Sequence, residues 1–357
     1  MTHQDRVNLS REHGLTQIAP EIDFTGKNVV LTGGAAGIGG ALAEAYHAFG
    51  ANVIVIDVQD EKLKALEDKL GNERITGIAF DLRTLSKAKY AKLTRQIKHA
   101  AGNDTIDVYA INAGVIKLFD GPDAKHIATT PIQEMDSLFA INVRSHVTLY
   151  QQLLPMMKHS DAGRIMLTSS PIVGRKDPAS ANYAWTKKAL EDYVAMFQQE
   201  LATLDGAEHI QVAGYVPPPV QAWLRAHWKN EPLYANAMPE DVVELPLRLS
   251  ASAMRADYNG KMFTFVDKRT RNITPADGGE KYDANARTEN GFDLGIRVRD
   301  LGEGGGTAGE DFETSYDTWN SRLLLGKDPV PPLDENIRIR EALAPPQFIK
   351  KAMNGPS

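Results

Sequence analysis

Tyr183 and Lys187 stand four residues apart in Tyr183-Ala184-Trp185-Thr186-Lys187, within a stretch whose pattern predicts a long helix over 179–204. At that spacing both side chains leave the same helix face. A phenol has an unperturbed pKa of about 10, too high for an efficient base at neutral pH. A neighbouring ammonium favours the phenolate and brings it into range for proton transfer. Ser170 precedes Tyr183 by 13 residues and falls at the end of an expected strand, where its hydroxyl can hydrogen-bond a reacting oxygen. A Tyr and a Lys four apart are common by chance. The same pair with a strand-end serine, on a chain that also carries a nucleotide loop, points to proton exchange at a carbon-bound oxygen.

That loop is Thr32-Gly33-Gly34-Ala35-Ala36-Gly37-Ile38-Gly39. It follows the strand-like run Val29–Thr32 and opens a helical pattern at Gly39. Glycines let the backbone turn tightly and approach a pyrophosphate, whose charge the helix N-terminus stabilises. Alone, such a stretch is equally a structural turn. Asp57 adds to it, 24 residues past Gly33 at the end of the second strand. A carboxylate there accepts hydrogen bonds from both adenosine ribose hydroxyls and repels a 2′-phosphate. No Arg or Lys occurs between Thr32 and Ile56, and none directly follows Asp57. NAD is favoured over NADP.

The elements that must position these groups alternate. Val29–Thr32, Asn52–Asp57, Ile75–Asp81, Ile106–Asn112, Arg164–Ser169, Gln211–Val216 and Lys261–Val266 read as short, apolar, β-branched strands buried on both faces. Helical patterns lie between them, including Glu61–Leu70 and the long stretches Met135–Lys158 and Ala179–Leu204. Seven strands in alternation with helices predict a doubly wound parallel sheet, an α/β Rossmann arrangement with helices on both faces. Three regions follow: a polar N-terminal arm at 1–24, a nucleotide-binding catalytic domain at 25–267, and a C-terminal extension at 268–357.

Composition removes several alternatives. The chain has 357 residues, with 40 Lys+Arg against 46 Asp+Glu and a net charge of -6. That balance argues against nucleic acid as a partner. With no cysteine, disulfides, thiolate metal sites and cysteine nucleophiles are excluded. None of the 9 histidines forms a His-Glu-x-x-His pattern, and no catalytic metal is expected. The longest uncharged runs, Asn28–Ala43 and His209–Leu224, are interrupted by glycines or by three consecutive prolines, so neither is expected to span a bilayer. Met1–Gly14 lacks an apolar h-region, and a cytoplasmic location without membrane contact is expected.

Taken together, these residues resemble the short-chain dehydrogenase/reductase family. The likeness rests on the Thr-Gly-x-x-x-Gly-x-Gly loop at Thr32–Gly39, Asp81 in Phe80-Asp81-Leu82, Asn112-Ala113-Gly114, Asn142, Ser170, and Tyr183 with Lys187. It runs along roughly residues 25–267. The resemblance implies a catalytic set of Asn142, Ser170, Tyr183 and Lys187. It also implies cofactor contacts from Gly33, Ala36, Gly37, Ile38, Gly39, Asp57, Asp81, Leu82, Asn112, Ala113, Gly114, Tyr183, Lys187 and Val220. Asp81 is expected near the adenine amine, Asn112-Ala113-Gly114 beside the cofactor, and Asn142 at a helix kink with a water linking Lys187 to solvent. The implied reaction passes hydride between NAD and a secondary alcohol or ketone. Tyr183 is the acid–base, Lys187 tunes it and contacts the ribose, and Ser170 orients the substrate oxygen. Related enzymes assemble as dimers or tetramers, which implies a homo-oligomer.

The sequence departs from the family after the sixth strand. Where Pro-Gly-x-Val-x-Thr is usual, it has Pro217-Pro218-Pro219-Val220-Gln221-Ala222. Proline fixes φ and removes donors, and Ala222 lacks the expected hydroxyl; Val220 retains its backbone groups. The following 221–238, the family's substrate lid, holds Trp223, Trp228 and Tyr234 with Arg225, His227 and Lys229. The aromatics read either as a pocket for a cyclic or aromatic substrate or as a subunit contact. In the extension, Phe312, Tyr316, Trp319 and Leu323 share one helical face, which predicts a helix over Phe312–Leu325 docked near that lid. Two other readings stay open: a redox-neutral use of the cofactor, as in an epimerase or dehydratase, and a non-catalytic NAD-binding scaffold.

Overall fold

The computed structural model describes residues 22–116, 127–174, 180–218, 220, 239–252, 254, 256–267, 293–299 and 311–317. The β-branched runs form β1 Asn28–Thr32, β2 Asn52–Asp57, β3 Ile75–Ala79, β4 Val108–Ile111, β5 Arg164–Thr168, β6 Gln211–Val216 and β7 Lys261–Asp267. Every residue of β1, β4 and β5 is buried, as strands covered on both faces require. These seven strands are parallel, in the order β3-β2-β1-β4-β5-β6-β7. The chain runs outward from β1 to β3 and then crosses back to β4. That reversal opens a crevice beyond the carboxyl ends of β1 and β4, where ligands bind in sheets of this kind.

Two helical layers close the sheet, and strand alternation assigns side chains between them. Val29, Leu31, Val53 and Val55 pack with Leu42 and Tyr46 of α1 (Gly37–Ala48), Leu63 of α2 (Asp60–Leu70) and Leu247 of the last described helix. Val30, Ile54, Tyr109 and Ile165 face the other way, against α3 (Lys87–Ala101) and the two long helices that follow it. The end of the N-terminal arm joins the first layer: Ile22 and Phe24 are buried, with Phe24 edge-on to Tyr46 at 5.0 Å between ring centres.

The stretch Met135–Lys158 is helical as far as Met157, with the irregularity at the position where the resemblance implies a kink, Asn142. α4 (Ile132–Phe139) passes through a π turn at Ala140–Arg144 into α5 (Ser145–Met157). The extra residue in that turn carries Asn142 towards the loop after β4, a use common to such bulges. α6 spans Ala181–Leu201 and α7 Glu244–Ser250.

The extension differs more. Among the described residues the sheet has nine strands, because β8 (Asp293–Arg299) pairs antiparallel with β7, and β9 (Asp311–Asp317) with β8. The helix expected from Phe312 is therefore a strand over its first part. An open edge at β7 offers a row of backbone donors and acceptors, and such pairing overrides a local helical pattern. Trp319, Leu323 and the remainder of that expected helix lie outside the described residues, as do 1–21 and the lid at 221–238. Among the described residues, no helix is long and apolar enough to cross a membrane.

Candidate active site

The crevice is built from the carboxyl ends of β1 to β5. At the end of β1, Thr32 Oγ1 accepts from the backbone N–H groups of Asn112 and Ala113, at 3.1 and 3.2 Å. The Asn112 amide returns the link, donating to the carbonyls of Thr32 and Gly33. Asn112-Ala113-Gly114 thus fastens the β4 end to the glycine loop. Gly33 has φ +68°, a left-handed conformation, and a Cβ there would stand 2.7 Å from Ala113 Cα. At Gly39 a Cβ would overlap the Gly33 carbonyl oxygen and the Asn112 amide.

These contacts bring the loop to the start of α1 with its donors open. The residue before the helix, Ala36, supplies no capping side chain, and no acidic residue lies in the first turn. The leading N–H groups of a helix, left uncapped, form a site for an anion. Asp57 stands beside it: its two carboxylate oxygens accept from Ala35 N at 3.1 Å and Gln59 N at 3.0 Å. The donors fit a pyrophosphate and the carboxylate fits a ribose diol, so these residues suit a nicotinamide dinucleotide. Ile38 packs its side chain on the core.

Asp81 and Leu82 follow β3. Arg83 donates to both Asp81 oxygens, through Nε at 3.1 and 3.0 Å and through Nη2 at 2.7 Å. Burial raises the Asp81 carboxyl, but the hydrogen bonds from Arg83 outweigh it and hold the group below its ordinary range. Leu82 turns its side chain into the core. Arg144 of the π turn donates to the Arg83 carbonyl at 2.8 Å, tying this end of the crevice to the helix kink.

Tyr183 and Lys187 are both buried on α6, with the ammonium 6.0 Å from the phenol ring centre. Lys187 Nζ donates to the Thr168 carbonyl at the end of β5, at 2.9 Å. Burial pushes the ammonium down to about 8, opposed by the charge of Glu191. A Cβ at Gly114 would lie 3.2 Å from Lys187 Nζ and 3.5 Å from Asn142 Oδ1, so both groups flank that glycine. Asn142 spends its amide on the protein: Oδ1 accepts from Val115 N at 2.8 Å, while Nδ2 donates to the Val115 carbonyl and to Thr186 Oγ1. Ser170 is half-buried just past β5, where its Oγ accepts from Ile172 N at 3.3 Å. Val220 is buried in the core, while Pro219, Gln221 and Ala222 lie outside the described residues.

The sequence reading missed His146 on α5. Its Nε2 lies 2.9 Å from the Ala113 carbonyl, and its Nδ1 lies 3.5 Å from the Tyr109 hydroxyl. Burial, with a smaller effect from the Lys187 charge, pushes the ring down to about 3 despite the Ala113 hydrogen bond. The imidazole is therefore neutral. No sequence spacing marks His146, because its partner sits 33 residues away on another element. Among the described residues, no cluster of His, Asp and Glu could hold a metal ion.

With this geometry in place, comparison with known proteins becomes specific. The family model described as short chain dehydrogenase matches residues 27–232. The chain belongs to the short-chain dehydrogenase family. It is an oxidoreductase of that type, with the family's Rossmann fold and nicotinamide cofactor site. Oxidoreductase UcpA of Salmonella typhimurium is 28% identical over 247 residues, covering 68% of this chain and 88% of the relative. The 3-oxoacyl-[acyl-carrier-protein] reductase FabG of Rickettsia felis is 26% identical over 226 residues, covering 62% and 88%. A short chain dehydrogenase from Shigella flexneri, solved in complex with NADP, shares the fold at a TM-score of 0.59 and 24% identity, over 68% of this chain and 98% of its own.

Proposed function

We propose that this short-chain dehydrogenase interconverts a secondary alcohol and a ketone, with Tyr183 as the proton-exchanging group. The observation that supports this reading is the pairing of Tyr183 and Lys187, buried together on α6, with the Lys187 ammonium beside Gly114 at the crevice. When bound, the nicotinamide supplies hydride transfer. Tyr183 gives or takes the hydroxyl proton, and the Lys187 ammonium stabilises its phenolate. Ser170, on the turn after β5, hydrogen-bonds the substrate oxygen. Asn142 holds Val115 and Thr186 in place, and Thr186 Oγ1 in turn donates to the Tyr183 carbonyl at 2.8 Å. A reductase of 3-oxoacyl groups among the similar proteins agrees with carbonyl chemistry, and the aromatics at 223–234 suit a cyclic or aromatic substrate.

NAD is the proposed cofactor. A carboxylate at Asp57, beside the glycine loop, would repel a 2′-phosphate, and the pairing of Arg83 with Asp81 at the neighbouring strand end supports the same reading. That a Shigella flexneri chain of the same fold was solved in complex with NADP is a fact about that chain. Assembly as a dimer or tetramer in the cytoplasm completes the proposal. Trp185, stacked on Phe139, and Met196 are exposed apolar side chains on α6, separated by the Lys188–Asp192 ion pair, and such a mixed face is compatible with a subunit contact.

One set of measurements tests the reading. Turnover on a panel of cyclic, aromatic and hydroxy-acid alcohols, followed by NADH absorbance, should be present in wild type and fall by roughly 10²–10⁴ in Tyr183→Phe. NAD affinity should stay near wild type in that variant. NAD should bind at least ~10-fold more tightly than NADP, equivalent to about 1.4 kcal/mol. Wild-type rates in Tyr183→Phe rule out the mechanism, and a titration favouring NADP rules out the role given to Asp57.

A further inference from the structure

α6 presents a third ionisable side chain at the same four-residue step as Tyr183 and Lys187. It is Glu191, at 0% exposure. A carboxylate so deeply buried is costly unless hydrogen bonds and charge compensate it. Ser169 Oγ donates to Glu191 Oε1 at 2.6 Å, within the range of strong, charge-assisted bonds. The Glu191 charge also acts on Lys187, in the direction that retains its proton.

Ser169 is well placed to transmit a constraint. Its N–H donates to the Tyr215 carbonyl at 2.8 Å, which continues the sheet past β5. On one side is Thr168, whose carbonyl receives Lys187 Nζ. On the other is Ser170, the residue proposed to hold the substrate oxygen. One carboxylate therefore ties the helix carrying the acid–base pair to the strand end carrying its two partners.

We infer that Glu191 is a positioning residue for the Tyr183–Lys187 pair, fixing the Thr168–Ser170 strand end through Ser169 and supporting the Lys187 ammonium through its charge. This rests on the proposed role of Tyr183. An ammonium pushed down to about 8 by burial stands close to working pH, so a nearby negative charge decides how much of it is protonated. The other groups facing Lys187 among the described residues carry no negative charge. Asn142 in the π turn and the Thr168 carbonyl are uncharged, and burial keeps His146 of α5 neutral. Tyr183, on the same helix, is the group that the ammonium serves.

The test uses full-length, cofactor-free protein with 13C-labelled lysine, titrated over about pH 6–11, with Lys187 assigned by its loss in Lys187→Arg. Glu191→Gln removes the charge and leaves Ser169 an acceptor. It should lower the Lys187 midpoint by about half a unit or more and move the alkaline limb of kcat in the same direction. Ser169→Ala removes the tie without deleting the carboxyl group; kcat should fall, and the Lys187 midpoint should move less than in Glu191→Gln. If Glu191→Gln does not fold, Glu191→Asp takes its place and should shift the midpoint in the same direction by less. A folded Glu191→Gln or Glu191→Asp protein with an unmoved Lys187 midpoint overturns the proposal. A moved midpoint alongside wild-type turnover in Tyr183→Phe instead overturns the reading of Tyr183 and leaves the coupling of Glu191 to Lys187 standing.

Discussion

His146 sits behind the crevice as a neutral imidazole whose Nε2 reaches the Ala113 carbonyl. Burial places its folded pKa at about 3, against an ordinary 6.5. The unfolded chain therefore binds a proton between those values that the folded chain refuses. The stability that this group contributes is complete above pH 6.5 and is lost as pH falls towards 3. Within that window the slope approaches about 1.4 kcal/mol per unit for this one group. His146→Gln keeps a donor for Ala113 and removes the titration. Its melting temperature should fall less steeply than wild type between about pH 6.5 and 4.5, as scanning calorimetry would show. Parallel slopes would mean that His146 protonates at no cost to the fold.

The glycine loop shows how an element is fixed by what touches it. By intrinsic propensity alone, Gly39→Ala should stabilise α1 by up to about 1 kcal/mol. The new Cβ, however, would overlap the Gly33 carbonyl oxygen and lie 2.5 Å from the Asn112 amide. Backbone cannot yield there without moving the loop, and overpacking of this kind costs about 1–3 kcal/mol. The clash outweighs the propensity. Gly39→Ala should melt below wild type and lose at least about tenfold in NAD affinity, read by calorimetric titration. A melting point at or above wild type would show that the loop has room. The π turn at Ala140–Arg144 is a second such element: its irregular backbone lets Asn142 reach Val115 across the crevice.

At the scale of the molecule, the β8–β9 pair continues the sheet beyond β7. One side of β7 that would otherwise be an open edge is occupied by the chain's own extension. Deleting residues 268–357 restores that edge, and an unpaired edge strand is a template for association. The candidate site lies at the ends of β1 to β5, so NAD binding should persist in the truncated protein. Its mass in sedimentation should rise with concentration, beyond any oligomer formed by the full chain. An unchanged mass and melting point would show that pairing at β7 contributes neither stability nor solubility.

Local patterns carried most of this. The seven parallel strands follow from β-branched runs buried on both faces. The glycine loop is a contiguous run, Tyr183 and Lys187 stand at one step along a helix, and Asp57 and Ser170 stand out by their strand-end positions in a motif order, all of which a sequence displays directly. Three things were decided by tertiary structure. Glu191 and His146 gain significance only when β5 and the loop after β4 arrive beside them, since their contacts span 22 and 33 residues. The kink at Asn142 is expected from the resemblance, but its form as a π turn and its contact with Val115 on another element are tertiary facts. Phe312–Asp317, helical by periodicity, pairs as a strand because an open sheet edge offers backbone hydrogen bonds that no local pattern records.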